Sequence, residues 1–148
     1  MGKETSYVGK AGHLAVMGEF ALRGYNVAMP EIDVGDDLFV FNDATGSTWR
    51  IQVKTAIATA RAKSDSMQFR IRESAITTRL DPDLHFIFAC RLKDQWKFII
   101  VSRSILENYV RAHSLGSKIL LKESSGDRFT FLSRTLEKLN ALDKTSLT

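Results

Sequence analysis

The chain has 148 residues, 44% of them hydrophobic and 26% charged, with a formal net charge of +4 and a pI near 9.3. These totals suit a single folded domain over residues 1–148, exclude a wholly disordered chain, and permit a polyanionic partner without requiring one. No apolar run nears the roughly 18 residues that span a bilayer, residues 1–20 lack a secretory pattern, and one cysteine, Cys90, excludes an internal disulfide; the expectations are no membrane partner and a cytoplasmic address.

Residues 1–8 are polar and read as a frayed start. The stretch 9–23, GKAGHLAVMGEFALR, reads as a helix with Leu14, Met17 and Ala21 on one face and enough apolar residues elsewhere to expect burial on most sides. Gly12 and Gly18 inside it imply close approach to a neighbouring sheet, and Gly24 ends it. Glu19 lies in this helix with Arg23 at i+4, an ordinary ion-pair spacing. YNVAM (25–29) is a short strand stopped by Pro30. EIDVGDD then carries Glu31, Asp33, Asp36 and Asp37, with Gly35 allowing a sharp turn.

LFVFN (38–42), the turn DATGS and TWRIQVKT (48–55) read as a hairpin. In its second strand Trp49, Ile51 and Val53 alternate with Arg50, Gln52 and Lys54. Residues 56–66 are a connection bearing Arg61 and Lys63, MQFRIR (67–72) alternates again, and ESAITTRL (73–80) reads as a short helix before Pro82. HFIFACRL (85–92) has the continuous apolar character of a strand covered on both faces, with WKFIIVS (96–102) as its antiparallel partner and Cys90 as a buried small side chain. Ser104 and Glu107 have capping-box spacing at the head of a helix over 104–113. KILLKE (118–123) and RFTFL (128–132) read as a second hairpin. Ser133 then stands as N-cap of a closing helix over 133–142, with Leu136, Leu139 and Leu142 as its stripe. The pattern is that of a mixed α/β domain.

Within one strand Gln52 and Lys54 stand about 6.8 Å apart on one face. Pairing across the DATGS turn brings Asp37 near them, so a carboxylate, an amide oxygen and the Val53 carbonyl gather as hard donors suited to Mg2+ or Mn2+. Lys54 could orient an activated water or neutralise charge on a phosphate. From spacing alone, a solvated strand face and a polar turn explain the same residues slightly better, and Asp33 and Asp36 compete with Asp37 for the ligand role.

Glu19 in the first helix, GDDL at 35–38 and IQVKT at 51–55, in that order, resemble the PD-(D/E)XK nuclease superfamily. The likeness is greatest to the Q-x-K branch that includes group I intron homing endonucleases, and covers roughly the first half of the chain. The resemblance implies a restriction-endonuclease-like fold, an αβββαβ core with a mixed central sheet flanked by helices, followed here by a C-terminal hairpin and helix. It also implies a metal-dependent endonuclease that hydrolyses DNA phosphodiester bonds through a metal-activated water. Asp37 would be the principal metal ligand, Glu19 the helix-borne acid and further ligand, Val53 a carbonyl ligand and Lys54 the catalytic lysine. Gln52 would occupy the second acidic motif, where the commoner residue is an acid. The cofactor would be Mg2+ or Mn2+.

Arg50, Arg61, Lys63, Arg70, Arg72 and Arg79 follow the motif closely and could contact DNA phosphates. His13, His85 and His113 are scattered without metal-ligand spacing, and His85 reads as structural. A nuclease this small often acts as a homodimer or higher homo-oligomer; the final helix and exposed aromatics are the candidate contacts. The nuclease reading requires Glu19, Asp37, Gln52 and Lys54 to face one pocket. The competing readings are a catalytically inactive DNA-binding or assembly module on the same fold, and a basic α/β protein with no nucleic-acid role.

Overall fold

In a computed structural model of the chain, describing residues 3–32, 34–58, 67–113 and 128–143, the strand β3 (Thr48–Ile57) lies at the centre of the sheet. Its alternation turns Ile51 and Val53 to one face and Gln52 and Lys54 to the other. β2 (Leu38–Phe41) pairs antiparallel on one side, Leu38 opposite Ile51. β5 (Leu84–Leu92) pairs parallel on the other, Val53 opposite Ile87. β1 (Asn26–Ala28) lies outside β2 and β6 (Gln95–Ser102) outside β5, giving a mixed five-stranded sheet in the order β1-β2-β3-β5-β6. The chain is thus α/β, its sheet flanked by helices. The expected β5–β6 hairpin is present, turning through Lys93 and Asp94 at φ 48° and 60°, as two-residue hairpin loops require. β5 is buried from both sides, and burial of Cys90 pushes its thiol up to about 11.

The helix α1 (Lys3–Leu22) covers the Ile51 and Val53 face, where Val16 and Phe20 join Leu38, Val40, Ile87 and Ala89 in one cluster. It starts well before residue 9, so residues 3–8 are helical rather than frayed. Nor is it buried on most sides: Leu14 is 55% and Leu22 86% exposed. The buried stripe runs through Gly12, Val16 and Phe20, not through Leu14, Met17 and Ala21. A Cβ on Gly12 would stand 1.8 Å from Thr55 Oγ1, so helix and strand touch there, whereas Gly18 faces open space.

The opposite face carries a second core. β4 (Gln68–Arg72) and β7 (Arg128–Leu132) form a two-stranded antiparallel sheet, Phe69 opposite Phe131. Their inward residues pack on Phe86 and Phe88 together with Ile76 of α2 (Glu73–Thr77), Leu106 of α3 (Arg103–His113) and Leu136 of α4 (Ser133–Leu142). Of the expected hairpin over 118–132, residues 118–123 lie outside the described residues; among those described, β7 pairs with β4.

Both expected caps differ. Ser133 is buried between strand and helix, its N–H donating to the Met67 carbonyl at 2.9 Å and its Oγ accepting the Met67 N–H at 3.1 Å. Glu107 is drawn to Arg103 and Arg111, and it is Ser102 Oγ that accepts the Ile105 N–H. Charged neighbours outcompete the backbone for the Glu107 carboxylate. The α4 stripe is shorter than expected, with Leu136 and Leu139 buried but Leu142 71% exposed. Among the described residues, no helix is long and apolar enough to cross a membrane.

Candidate functional site

The chain enters β2 through Gly35 at φ 104°, a conformation that favours glycine. The turn delivers two aspartates to the edge where β2 begins. Asp37 donates its N–H to the Ile51 carbonyl at 2.9 Å, just ahead of the first ladder pair. Its carboxylate takes the next position, Oδ2 accepting the Val53 N–H at 2.6 Å. An extended residue directs its N–H and C=O to the same side, so the Val53 carbonyl points beyond the start of β2, toward the Asp37 side. The charge-assisted bond to Val53 holds Asp37 against the strand.

On the α1 side of this edge, His13 brings Nε2 to 3.6 Å from Asp37 Oδ2; the two side chains are 22% and 14% exposed. Both line a cavity of about 300 Å3 with Ser6, Lys10, Pro30 and Asp36. Asp36 is 3% exposed and accepts from Arg50 at 2.5 Å, while the Arg50 guanidinium lies over the Phe39 ring.

On the other face, Gln52 and Lys54 open into a cleft of about 660 Å3 bounded by Gly35, Asp36, Arg70, Arg72 and Arg128. The far wall is the small sheet, whose register sets Arg72 opposite Arg128. Like charges in that position repel. The amide oxygen of Gln52 is buried without a hydrogen-bond partner among the described residues.

The expected residues therefore fall into three places. Asp37 and Val53 meet at the start of β2; Gln52 and Lys54 share the basic cleft; Asp36 lines both cavities. Glu19 joins neither. It accepts from Arg23 Nε at 2.9 Å and lines a separate cavity of about 630 Å3 walled by Trp96, Phe98 and Ile100. Six residues separate it from His13, about 9 Å along the helix and two-thirds of a turn around it. Glu19 is thus set apart from the other three expected residues, because α1 presents a different phase to the sheet. Arg70 and Arg72 lie on the cleft, while Arg50 is engaged by Asp36. Asp33, Arg61 and Lys63 lie outside the described residues.

Two residues enter that sequence reading missed. His13 is one, and its signal was position: it lies one turn before Val16 on the helix side facing the sheet. Arg128 is the other; the alternation of RFTFL gives its face, but not the strand it pairs with. In donor type the edge fits a hard cation, since Asp37, the Val53 carbonyl and the orphaned Gln52 oxygen are all oxygen donors. Among the described residues no group of three or more His, Cys, Asp or Glu side chains is placed to hold a metal, so such an ion would rest on backbone and amide oxygens as much as on charge. No protein-family model matches this chain, and no curated protein matches it.

Proposed function

We propose that the chain is a metal-dependent endonuclease hydrolysing DNA phosphodiester bonds with a site that does without Glu19, and so departs from the four-residue site expected from sequence; it is built on a restriction-endonuclease-like αβββαβ core and acts in the cytoplasm as a homodimer or higher homo-oligomer. One observation carries the reading: the Asp36–Asp37 edge adjoins a cleft lined by Lys54, Arg70, Arg72 and Arg128. A cleft whose charged lining is mostly basic concentrates a polyanion, and the acidic edge beside it is where a divalent cation would be held. Asp37 and the Val53 carbonyl are the groups to hold Mg2+ or Mn2+, with Gln52 as a neutral oxygen donor. When bound, the cation supplies Lewis acidity and a water activated near neutral pH. Lys54 neutralises charge gathering on the phosphate, and the arginines fix the flanking phosphates without reading sequence.

A second reading, a catalytically inactive nuclease-like DNA-binding or assembly module, is favoured by the distance of Glu19 from this edge and by its engagement with Arg23. Cleavage of supercoiled plasmid and branched DNA with Mg2+, Mn2+ or EDTA separates the two. The nuclease cuts only with metal, and Asp37→Ala and Lys54→Ala each lower the rate by roughly 100-fold, about 2.7 kcal/mol of transition-state stabilisation. Equal nicking by wild type and both variants sinks the proposal. Salt-sensitive binding without cutting under any metal establishes the inactive module.

A further inference from the structure

We infer that His13 is the ligand α1 contributes to the divalent-cation site, and that its imidazole nitrogen makes the site prefer Mn2+ to Mg2+. This rests on the nuclease reading only for the presence of a cation at Asp37.

The His13 Nε2 to Asp37 Oδ2 distance of 3.6 Å is longer than the roughly 2.7–3.2 Å of an N–H···O hydrogen bond. Two donors about 2.1 Å from an octahedral ion stand about 3.0 Å apart at a right angle, so a shared ion would draw the two side chains together by about 0.6 Å. Packing sets the 3.6 Å spacing. Gly12, adjacent to His13, is in contact with Thr55 of the strand that carries Val53, so helix and strand cannot slide without steric cost. Asp37 Oδ2 is fixed from the other direction by the Val53 N–H at 2.6 Å. His13 thus adds an imidazole nitrogen to the oxygen donors of Asp37, Val53 and Gln52. Mg2+ demands oxygen and gives up its waters reluctantly, whereas a softer first-row ion accepts nitrogen more readily. Lys10, whose ammonium turns to Met29 Sδ at 3.6 Å, is the cation on the same cavity wall and opposes the metal there. Glu19 lies in the other cavity.

The test uses the full chain with Mn2+ and Mg2+ alone, without DNA. Calorimetric titration of wild type, His13→Ala, His13→Glu and Glu19→Gln is combined with imidazole NMR spectra of the wild type. Mn2+ should broaden the His13 ring signals at the lowest Mn2+ fraction, ahead of those of His85, which pairs opposite Ile51, and those of His113. His13→Ala should weaken Mn2+ binding by roughly tenfold or more, a change of about 1.4 kcal/mol, with a smaller loss for Mg2+. His13→Glu should restore binding and shift the preference toward Mg2+, and Glu19→Gln should bind as wild type does. Unbroadened His13 signals at saturating Mn2+ overturn the inference even if a variant fails to fold, as does wild-type affinity in a folded His13→Ala. Plasmid cleavage by a wild type whose His13 ignores Mn2+ sinks this inference and leaves the nuclease standing. Mn2+ on His13 without cleavage does the reverse.

Discussion

The two ends of α1 meet the sheet differently. At His13 the helix is pressed onto β3, with Gly12 against Thr55 and a half-buried imidazole beside the carboxylate of Asp37. At Glu19, six positions later and on another side of the helix, it has an exposed ion pair with Arg23 above an apolar cavity lined by Trp96 and Phe98. The carboxylate sits where the surroundings are apolar, and the imidazole where they are acidic. What a helix delivers to a site depends on its phase against the sheet, not on which of its residues carries charge.

The sharpest way to break this contrast is through its two ion pairs. Asp36→Ala leaves Arg50, 22% exposed and paired at 2.5 Å, without its partner at the acidic edge. It should cost about 3 kcal/mol in chemical denaturation, whereas Glu19→Ala, removing a pair whose members are 67% and 38% exposed, should cost less than about 0.5 kcal/mol. Similar losses from the two would mean that the Asp36 pair is as solvated as the other. The helix glycines give the next contrast. Gly12→Val must push Thr55 aside and should lower stability by about 2 kcal/mol, with part recovered by adding Thr55→Ala. Gly18→Ala meets nothing within 4 Å and should raise stability by about 1 kcal/mol. Melting curves of the two single variants moving the same way would mean that α1 is not seated as described.

A smaller effect tests the cleft. Arg72→Ala and Arg128→Ala should each reduce the slope of log affinity for DNA against log salt by about one, or three- to fourfold in affinity between 50 and 200 mM salt. Glu19→Gln, outside the cleft, should leave the slope unchanged. A slope insensitive to both arginines would place DNA elsewhere.

Much of the sheet was legible because period-two alternation is a local property. TWRIQVKT and HFIFACRL show their faces in the residues themselves, and the hairpin partners follow from short turns. The register of α1 was not. Apolar residues lie all round it, so Leu14 and Met17 look as good a seam as Val16 and Phe20, and only contact with Thr55 picks out Gly12. The family resemblance placed Glu19 in the site, and without the helix register nothing singled out His13. The partner of β7 was hidden for another reason: the pairing joins residues 68–72 to 128–132, and a strand's pattern gives its faces without naming its neighbour. Ser133 shows the same limit, since a helix-capping residue and a strand-bridging one look alike until the strand is in place.

The small sheet has a consequence for the order in which the molecule becomes competent. β4 is made before β5 and β6, yet its partner β7 follows both of them. On a growing chain the β3 strand with Gln52 and Lys54 can pair with β5 long before Arg128 exists. Phe69 and Ile71, buried in the finished protein, have no β7 to pair with in the interval. Pairings so distant in sequence are slow to close, so the basic cleft should be completed late in biogenesis. A nascent chain would then hold its acidic edge before it has both walls to grip a nucleic acid.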